Sequence, residues 1–67
     1  MNDQPLFRIG DTARTVTYVS PLPRGTTVAI VELAERRRGF EYLVEGLVRG
    51  RAIQIWMKEA DLGRPFI

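Results

Sequence analysis

"FEYLVEGLVRGRAIQIWMK", residues 40–58, is the stretch of sequence that decides the fold. Apolar and polar residues alternate on both sides of Arg49-Gly50, which is typical of two half-buried strands joined by a turn. A two-residue turn at Arg49-Gly50 places Val48 opposite Arg51 and thereby fixes every other facing pair. A four- or five-residue loop around residues 47–50 is the alternative, because Arg-Gly is not the strongest turn dipeptide.

This register predicts a hairpin with two different faces. One face is apolar apart from a glycine, with Tyr42, Val44 and Gly46 opposite Met57, Ile55 and Ile53. The other face is mixed, with Glu41, Leu43, Glu45 and Leu47 opposite Lys58, Trp56, Gln54 and Ala52. Facing pairs of these kinds contribute about 0.2–1 kcal/mol each, and a slip of one residue would scramble both faces.

The only tryptophan, Trp56, therefore lies on the face away from the best aliphatic residues. A mixed face with one large aromatic residue is typical of a binding surface or a subunit interface. The alternative is that Trp56 closes one end of a small barrel, under the proline-containing loop "SPLPRG" at residues 20–25.

The remaining segments predict an all-β domain, a small five-stranded SH3-like barrel with one short 3-10 turn before the last strand. A Gly10-Asp11 turn precedes a first strand that runs to Val19, and the β-branched residues of "TTVAIVELAE" favour a second strand. The other predicted segments are a frayed, disordered tail at 1–5, an irregular or polyproline-like loop at 20–25, a helical turn at 59–63 and a last strand at 64–67. The barrel itself is predicted over residues 6–67.

Composition narrows the function classes. The chain has 67 residues, no cysteine and no histidine, so disulfides and thiolate zinc sites are excluded and ordinary general acid–base chemistry is disfavoured. The net charge of +2 is too small to argue nucleic-acid binding by itself. No apolar run is long enough to span a membrane and the start of the chain lacks a signal-peptide pattern, which favours a cytoplasmic protein.

The candidate binding surface joins the mixed face to nearby cations. Arg36, Arg37 and Arg38 form the densest basic cluster, which is either a phosphate-contacting loop or a solvated turn compensated by Glu35 and Glu41. The full predicted surface comprises Trp56, Gln54, Leu43, Leu47, Lys58, Arg36, Arg37, Arg38 and Arg51. The sequence contains no catalytic constellation and no metal-ligand spacing.

The layout resembles the SH3-like barrels over about residues 6–66. The similar segments are "FRIGDTARTV", "LPRGTTVAIVEL", "GFEYLVEG" and "IQIWMKEADL". This class includes proline-peptide binders, Tudor-like domains, KOW-type domains and subunits of larger complexes, so the resemblance implies a fold and leaves the function open.

One member of the class, the plasmid-borne type II dihydrofolate reductase, resembles this chain more locally. Its Val-Gln-Ile-Tyr pore signature is similar to Ile53-Gln54-Ile55-Trp56, and its Gly-Asp strand opening is similar to Gly10-Asp11 with Arg14. Trp56 replaces the tyrosine, and Thr15 stands where that family has a lysine. This resemblance implies an oligomeric, pore-type reductase that uses NADPH, with Gln54, Ile55, Trp56 and Arg14 near the cofactor.

The leading hypothesis is a non-enzymatic interaction module without a cofactor. It would bind a protein partner or a second copy of itself, and less readily nucleic acid, through Trp56, Gln54 and Leu43 beside the arginine loop. The pore-type reductase is the alternative.

Overall fold

The computed structural model describes residues 4–65, which form five antiparallel strands and one 3-10 turn. The elements are β1 (Thr12–Thr15), β2 (Thr27–Arg36), β3 (Gly39–Val48), β4 (Arg51–Lys58), the 3-10 turn (Glu59–Asp61) and β5 (Leu62–Gly63). The strands lie in the order β4-β3-β2-β1-β5, and the sheet is curled into a half-barrel. The predicted small all-β class, with five strands and a 3-10 turn before the last one, is confirmed, and it is compatible with an SH3-like barrel.

The β3–β4 hairpin has the predicted register. Every facing pair agrees with the prediction, from the pair next to the turn to the pair at the far end of the strands. Arg49 and Gly50 have φ values of 53° and 80°, so both central residues of the turn lie in the left-handed region. Two positive φ values are the signature of a type I′ turn, whose twist matches that of the flanking strands.

The core lies on the concave face of the curled sheet, which we call the inner face. Its fully buried apolar residues are Phe7, Ala13, Leu22, Val28, Ile30, Tyr42, Val44, Met57 and Leu62. In β2 the register shifts between Ile30 and Glu32, so Ile30 faces Val44 and Leu33 faces Tyr42. Ile30 and Leu33 are three residues apart, so a regular strand would send them to opposite faces. The one extra residue of this bulge lets both pack on the inner face.

The loop at residues 20–25 contributes Leu22 to the core. The Ser20–Pro21 peptide bond is cis, and Val19 and Leu22 exchange backbone hydrogen bonds of 3.0 and 2.7 Å. The predicted irregular loop is therefore a tight turn that directs Leu22 into the interior. The alternative that placed Trp56 beneath this loop is wrong, because Leu22 occupies the buried position and Trp56 is 45% exposed.

The first strand is shorter than predicted, and the last strand lies earlier in the chain than predicted. β1 ends at Thr15 and not at Val19, because the chain leaves the sheet to form the turn that carries Leu22. β5 comprises Leu62 and Gly63, which the sequence had placed in the helical turn. Leu62 faces Thr15 and is buried in the core. Because of this contact, β5 begins directly after the 3-10 turn, earlier than the sequence suggested.

Two predictions fall partly outside the described residues. The frayed tail was predicted at 1–5, of which 1–3 lie outside, and the last strand at 64–67, of which 66–67 lie outside. Arg64 and Pro65, which the structure does describe, belong to no strand.

Candidate functional site

The convex side of β2, β3 and β4, which we call the outer face, carries Trp56. Trp56 faces Leu43 on β3, and Leu43 in turn faces Glu32 on β2. The Trp56 side chain keeps 45% of its surface exposed, and Leu43 is half-buried. We call the outer-face residues Leu43, Leu47, Gln54 and Trp56 the Trp56 face.

Arg36 lies across the Trp56 ring. Its guanidinium carbon is 5.6 Å from the ring centroid, and its Nε donates to Glu41 Oε1 at 3.2 Å. Arg36 faces Gly39 at the end of the β2–β3 hairpin. A cation–π contact at an exposed site contributes about 0.5–1 kcal/mol, so Trp56 and Arg36 restrict each other's motion.

The charge pairing on this face differs from the prediction. Glu41 faces Lys58 in the register, as expected, but its carboxylate contacts Arg36. Within residues 4–65, Arg36–Glu41 is the one ion pair, and Lys58 is exposed. The long, forked arginine side chain reaches diagonally to Glu41, which a register alone does not reveal.

A polar pair divides the apolar surface of the Trp56 face. Gln54 Nε2 donates to Glu45 Oε1 at 2.8 Å, and these two residues lie between Trp56 and Leu47 along the hairpin. Leu47 is 68% exposed and faces Ala52. The outer face thus carries two apolar patches with a hydrogen-bonded polar pair between them, a composition typical of non-obligate interfaces.

The rest of the arginine cluster lies beyond the end of the sheet. Arg37 and Arg38 form the exposed β2–β3 turn. Arg38, Phe40 and Lys58 line a surface cavity of about 370 Å³ beside the 3-10 turn. Lys58 and Arg38 thus border the same cavity, which Arg36 also lines.

Arg51 does not join this surface. It faces Val48 at the opposite end of the hairpin, on the side of Ile53 and Ile55. Five residues along a strand separate it from Trp56, a distance of about 16 Å, and the alternation of side chains sends it to the other face. The predicted surface is thus continuous only at its Arg36 end.

The residues of the pore-type alternative lie on different surfaces. Gln54 and Trp56 point to the outer face, whereas Ile55 packs against the core on the inner face. Arg14 lies on β1, which is separated from β4 by two strands, or about 14 Å across the sheet. The reductase interpretation stays a prediction, and oxidation of NADPH in the presence of dihydrofolate tests it.

Sequence reasoning missed a polar node that joins the start of the chain to β3. The Tyr42 hydroxyl accepts hydrogen bonds from the backbone N–H groups of Leu6 at 3.0 Å and Phe7 at 3.3 Å, and it donates to the Glu59 carboxylate. Glu59 Oε2 also accepts from Leu6 N at 2.9 Å. The Phe7 and Tyr42 rings meet edge-to-face, with centroids 5.5 Å apart.

This node also changes the acidity of the tyrosine. Burial of Tyr42, followed by its hydrogen bond to Glu59, raises the pKa of the phenol, and the donated hydrogen bonds from Phe7 and Leu6 partly offset the rise. The sequence signal was a glutamate directly after a strand whose register places Met57 opposite Tyr42. The node fixes the first described residues over the core and leaves the outer face untouched.

Comparison with known proteins finds no match to a family, to a curated protein or to a solved structure. Among residues 4–65, no cluster of acidic side chains has the geometry of a metal site. No helix in the described part of the chain is long and apolar enough to cross a bilayer.

Proposed function

We propose that the chain is an SH3-like barrel that acts as a protein-interaction module, with the Trp56 face as its contact surface. The curled five-stranded sheet and the 3-10 turn before β5 support this fold assignment. The single observation that carries the functional proposal is Trp56 itself, a large aromatic residue held half-exposed on the face that does not form the core.

The composition of the surface favours a protein partner. Tryptophan and arginine are the residues most enriched at interface hot spots, and here Arg36 lies over Trp56 with its charge balanced by Glu41. The restricted side chains lose little conformational freedom on binding, which lowers the cost of forming a complex.

Nucleic acid is the weaker candidate. Of the cations predicted to flank Trp56, Arg36 is already paired with Glu41, and Arg51 lies on the other face. The cations that remain at this end are Arg37, Arg38 and Lys58, in a protein of net charge +2. Such a small set of phosphate contacts gives a weak salt dependence, whereas nucleic-acid binders show a steep one.

Replacement of Trp56 by alanine tests the contact surface. We expect Trp56→Ala to lose bound partners, or self-association, that the wild-type protein shows in affinity capture and in size-exclusion chromatography with light scattering. Because Trp56 lies outside the core, its circular dichroism spectrum and cooperative unfolding should persist.

Tyr18 supplies the matched control, since it is an aromatic residue with 64% exposure that lies outside the strands. Tyr18→Ala should retain every interaction of the wild-type protein. Equal partner capture and equal mass for the two variants, with both folded, would refute the assignment of the surface.

A further inference from the structure

The β4 strand forms an open edge of the sheet. Within residues 4–65 it is paired with β3 alone, and it spans Arg51–Lys58. The opposite edge, β5, has only Leu62 and Gly63 and is followed two residues later by Pro65. A very short strand and a proline are common ways to blunt an edge, so β5 is protected and β4 is not.

The turn determines which backbone groups of β4 point outward. In a two-residue turn the N–H of Arg51 donates to the C=O of Val48, so these residues form a hydrogen-bonded pair. Since hydrogen-bonded and non-hydrogen-bonded pairs alternate in an antiparallel ladder, the odd-numbered residues of β4 bond to β3. The backbone groups that point to the open edge belong to Ala52, Gln54, Trp56 and Lys58. Within residues 4–65 no strand pairs with them on this side, and only the C=O of Lys58, the N-cap of the 3-10 turn, accepts a hydrogen bond, from that turn.

The β4 edge lacks the usual devices that prevent strand pairing. It contains no proline, and the β3–β4 ladder runs without the register shift that interrupts β2–β3. Its charged residues, Arg51 and Lys58, are its two ends, and the stretch between them is uncharged. A long, regular edge of this kind is a template for another strand.

We propose that the occupant of this edge is a second copy of the chain, with the two β4 strands antiparallel about a two-fold axis at Ile55. The two strands can bond only through backbone groups that point to the open edge of each chain. The register that engages all four of these residues pairs Ala52 with the partner's Lys58 and Gln54 with the partner's Trp56. Shifting the register by two residues in either direction leaves at least one outward residue unpaired. The inference goes beyond the proposed function, because backbone pairing at the β4 edge does not require the Trp56 side chain.

Charge and burial favour this occupant. In this register no like charges of β4 face each other, because Lys58 lies opposite the partner's Ala52 and Arg51 lies level with the start of the partner's 3-10 turn. On the inner face Ile55 meets the partner's Ile55, and Ile53 meets the partner's Met57. Ile53 and Ile55 are only half-buried in the single chain, so strand pairing completes their burial.

Amide hydrogen exchange, followed by NMR at low and high protein concentration, tests the pairing directly. We expect the amides of Ala52, Gln54, Trp56 and Lys58 to slow at least about tenfold as concentration rises, because exchange is slowed by the free energy of opening. The amides of Ile53 and Ile55 bond to β3 in the single chain and should change little. Uniform slowing of both sets, or no slowing at a concentration where light scattering shows a dimer, would overturn the proposal.

A proline substitution provides the second test. Ala52→Pro removes an outward N–H while leaving the bonds to β3, whereas Ala52→Thr changes the side chain and keeps the N–H. Ala52→Pro should remain a monomer at concentrations where the wild-type protein and Ala52→Thr form dimers in light scattering. If Ala52→Pro does not fold, the exchange pattern of the wild-type protein decides alone.

The two proposals fail in different ways. If Trp56→Ala loses self-association and the β4 amides of the wild-type protein show no alternating protection, the Trp56 face is supported and the strand pairing is refuted. Alternating protection that persists in Trp56→Ala would support the strand pairing and refute the Trp56 face as the contact surface. A protein that stays monomeric at every concentration tested, with unchanged exchange, would refute the strand pairing.

Discussion

The inner and outer faces of the β3–β4 hairpin follow the same alternation but differ in what covers them. On the inner face Tyr42 and Val44 have no exposed surface, whereas on the outer face Trp56 and Leu47 are among the most exposed large apolar residues. The inner face is covered by Phe7, Leu22 and the residues of β1, and no described segment covers the outer face. Apolar content alone therefore does not make a core, because a strand face is buried only where another segment reaches it.

Gly46 leaves room for Leu22, one of the residues that cover the inner face. A Cβ at this residue would lie 3.0 Å from Val28 Cγ1 and 3.2 Å from Leu22 Cδ2. The one residue that interrupts the apolar inner row thus leaves the space into which Leu22 packs.

The largest effect is expected when the cover of the inner face is removed. Leu22→Ala deletes a fully buried side chain, which lowers the free energy of unfolding by about 2–5 kcal/mol through lost burial and a residual cavity. Leu47→Ala makes the same chemical change on the outer face and should alter stability by about 0.5 kcal/mol or less. Denaturant unfolding of both variants measures the difference, and similar losses would contradict the distinction between the faces.

Filling the space at Gly46 should be the next most harmful change. Gly46→Ala forces Val28 and Leu22 to move and should lower the free energy of unfolding by about 1–3 kcal/mol. If the clash with Leu22 is the cause, Leu22→Val in the same chain should recover part of the loss, so the two changes will not be additive. Strict additivity in a double-mutant cycle would locate the strain elsewhere.

Removal of one oxygen from the polar node should cost less than a cavity. Tyr42→Phe removes the phenol acceptor from the amides of Leu6 and Phe7 and leaves Glu59 with the Leu6 amide as donor, a loss of about 1–3 kcal/mol in unfolding free energy. Tyr18→Phe, at an exposed position, should be nearly neutral. Thermal unfolding of both variants provides the comparison.

The same node predicts a loss of stability in alkaline solution. Because the pKa of Tyr42 is raised above its ordinary value of 10.0, the folded chain favours the protonated phenol. Its stabilising contribution is complete below about pH 10 and disappears as the pH rises through the raised pKa. Absorbance titration of Tyr18→Phe, in which Tyr42 is the remaining tyrosine, should show ionisation above pH 10, and a midpoint below 10 would contradict this assignment.

The smallest effect belongs to the outer face. Arg36→Ala removes the contact with Trp56 and the ion pair with Glu41, but its side chain is 53% exposed, so the loss in unfolding free energy is about 1 kcal/mol or less. Arg37→Ala, in the adjacent turn, should have no measurable effect. A shift of the Trp56 fluorescence maximum in Arg36→Ala but not in Arg37→Ala would confirm the contact, and an unchanged maximum in both would contradict it.

The β3–β4 hairpin could be predicted from the sequence because its two strands and its turn are adjacent in the chain. Alternation and a turn dipeptide act over neighbouring residues, so the register and the face that carries Trp56 follow from residues 40–58. Register and proximity left two partners open for Glu41, Lys58 opposite it and the arginine turn, and the structure pairs it with Arg36. Arg51 was assigned to the Trp56 surface by charge, although its own register places it on the other face.

The sequence by itself determined the all-β class, the β3–β4 register and the separation of the tryptophan from the aliphatic row, since each depends on a period of two residues. Only the tertiary structure decided that Leu22 enters the core, that Tyr42 and Glu59 hold the start of the chain, and that β1 ends at Thr15. These features join residues far apart in the chain, and they depend on which segment fills a given space. No local pattern encodes that choice, because packing and hydrogen bonding are satisfied only after the sheet has curled.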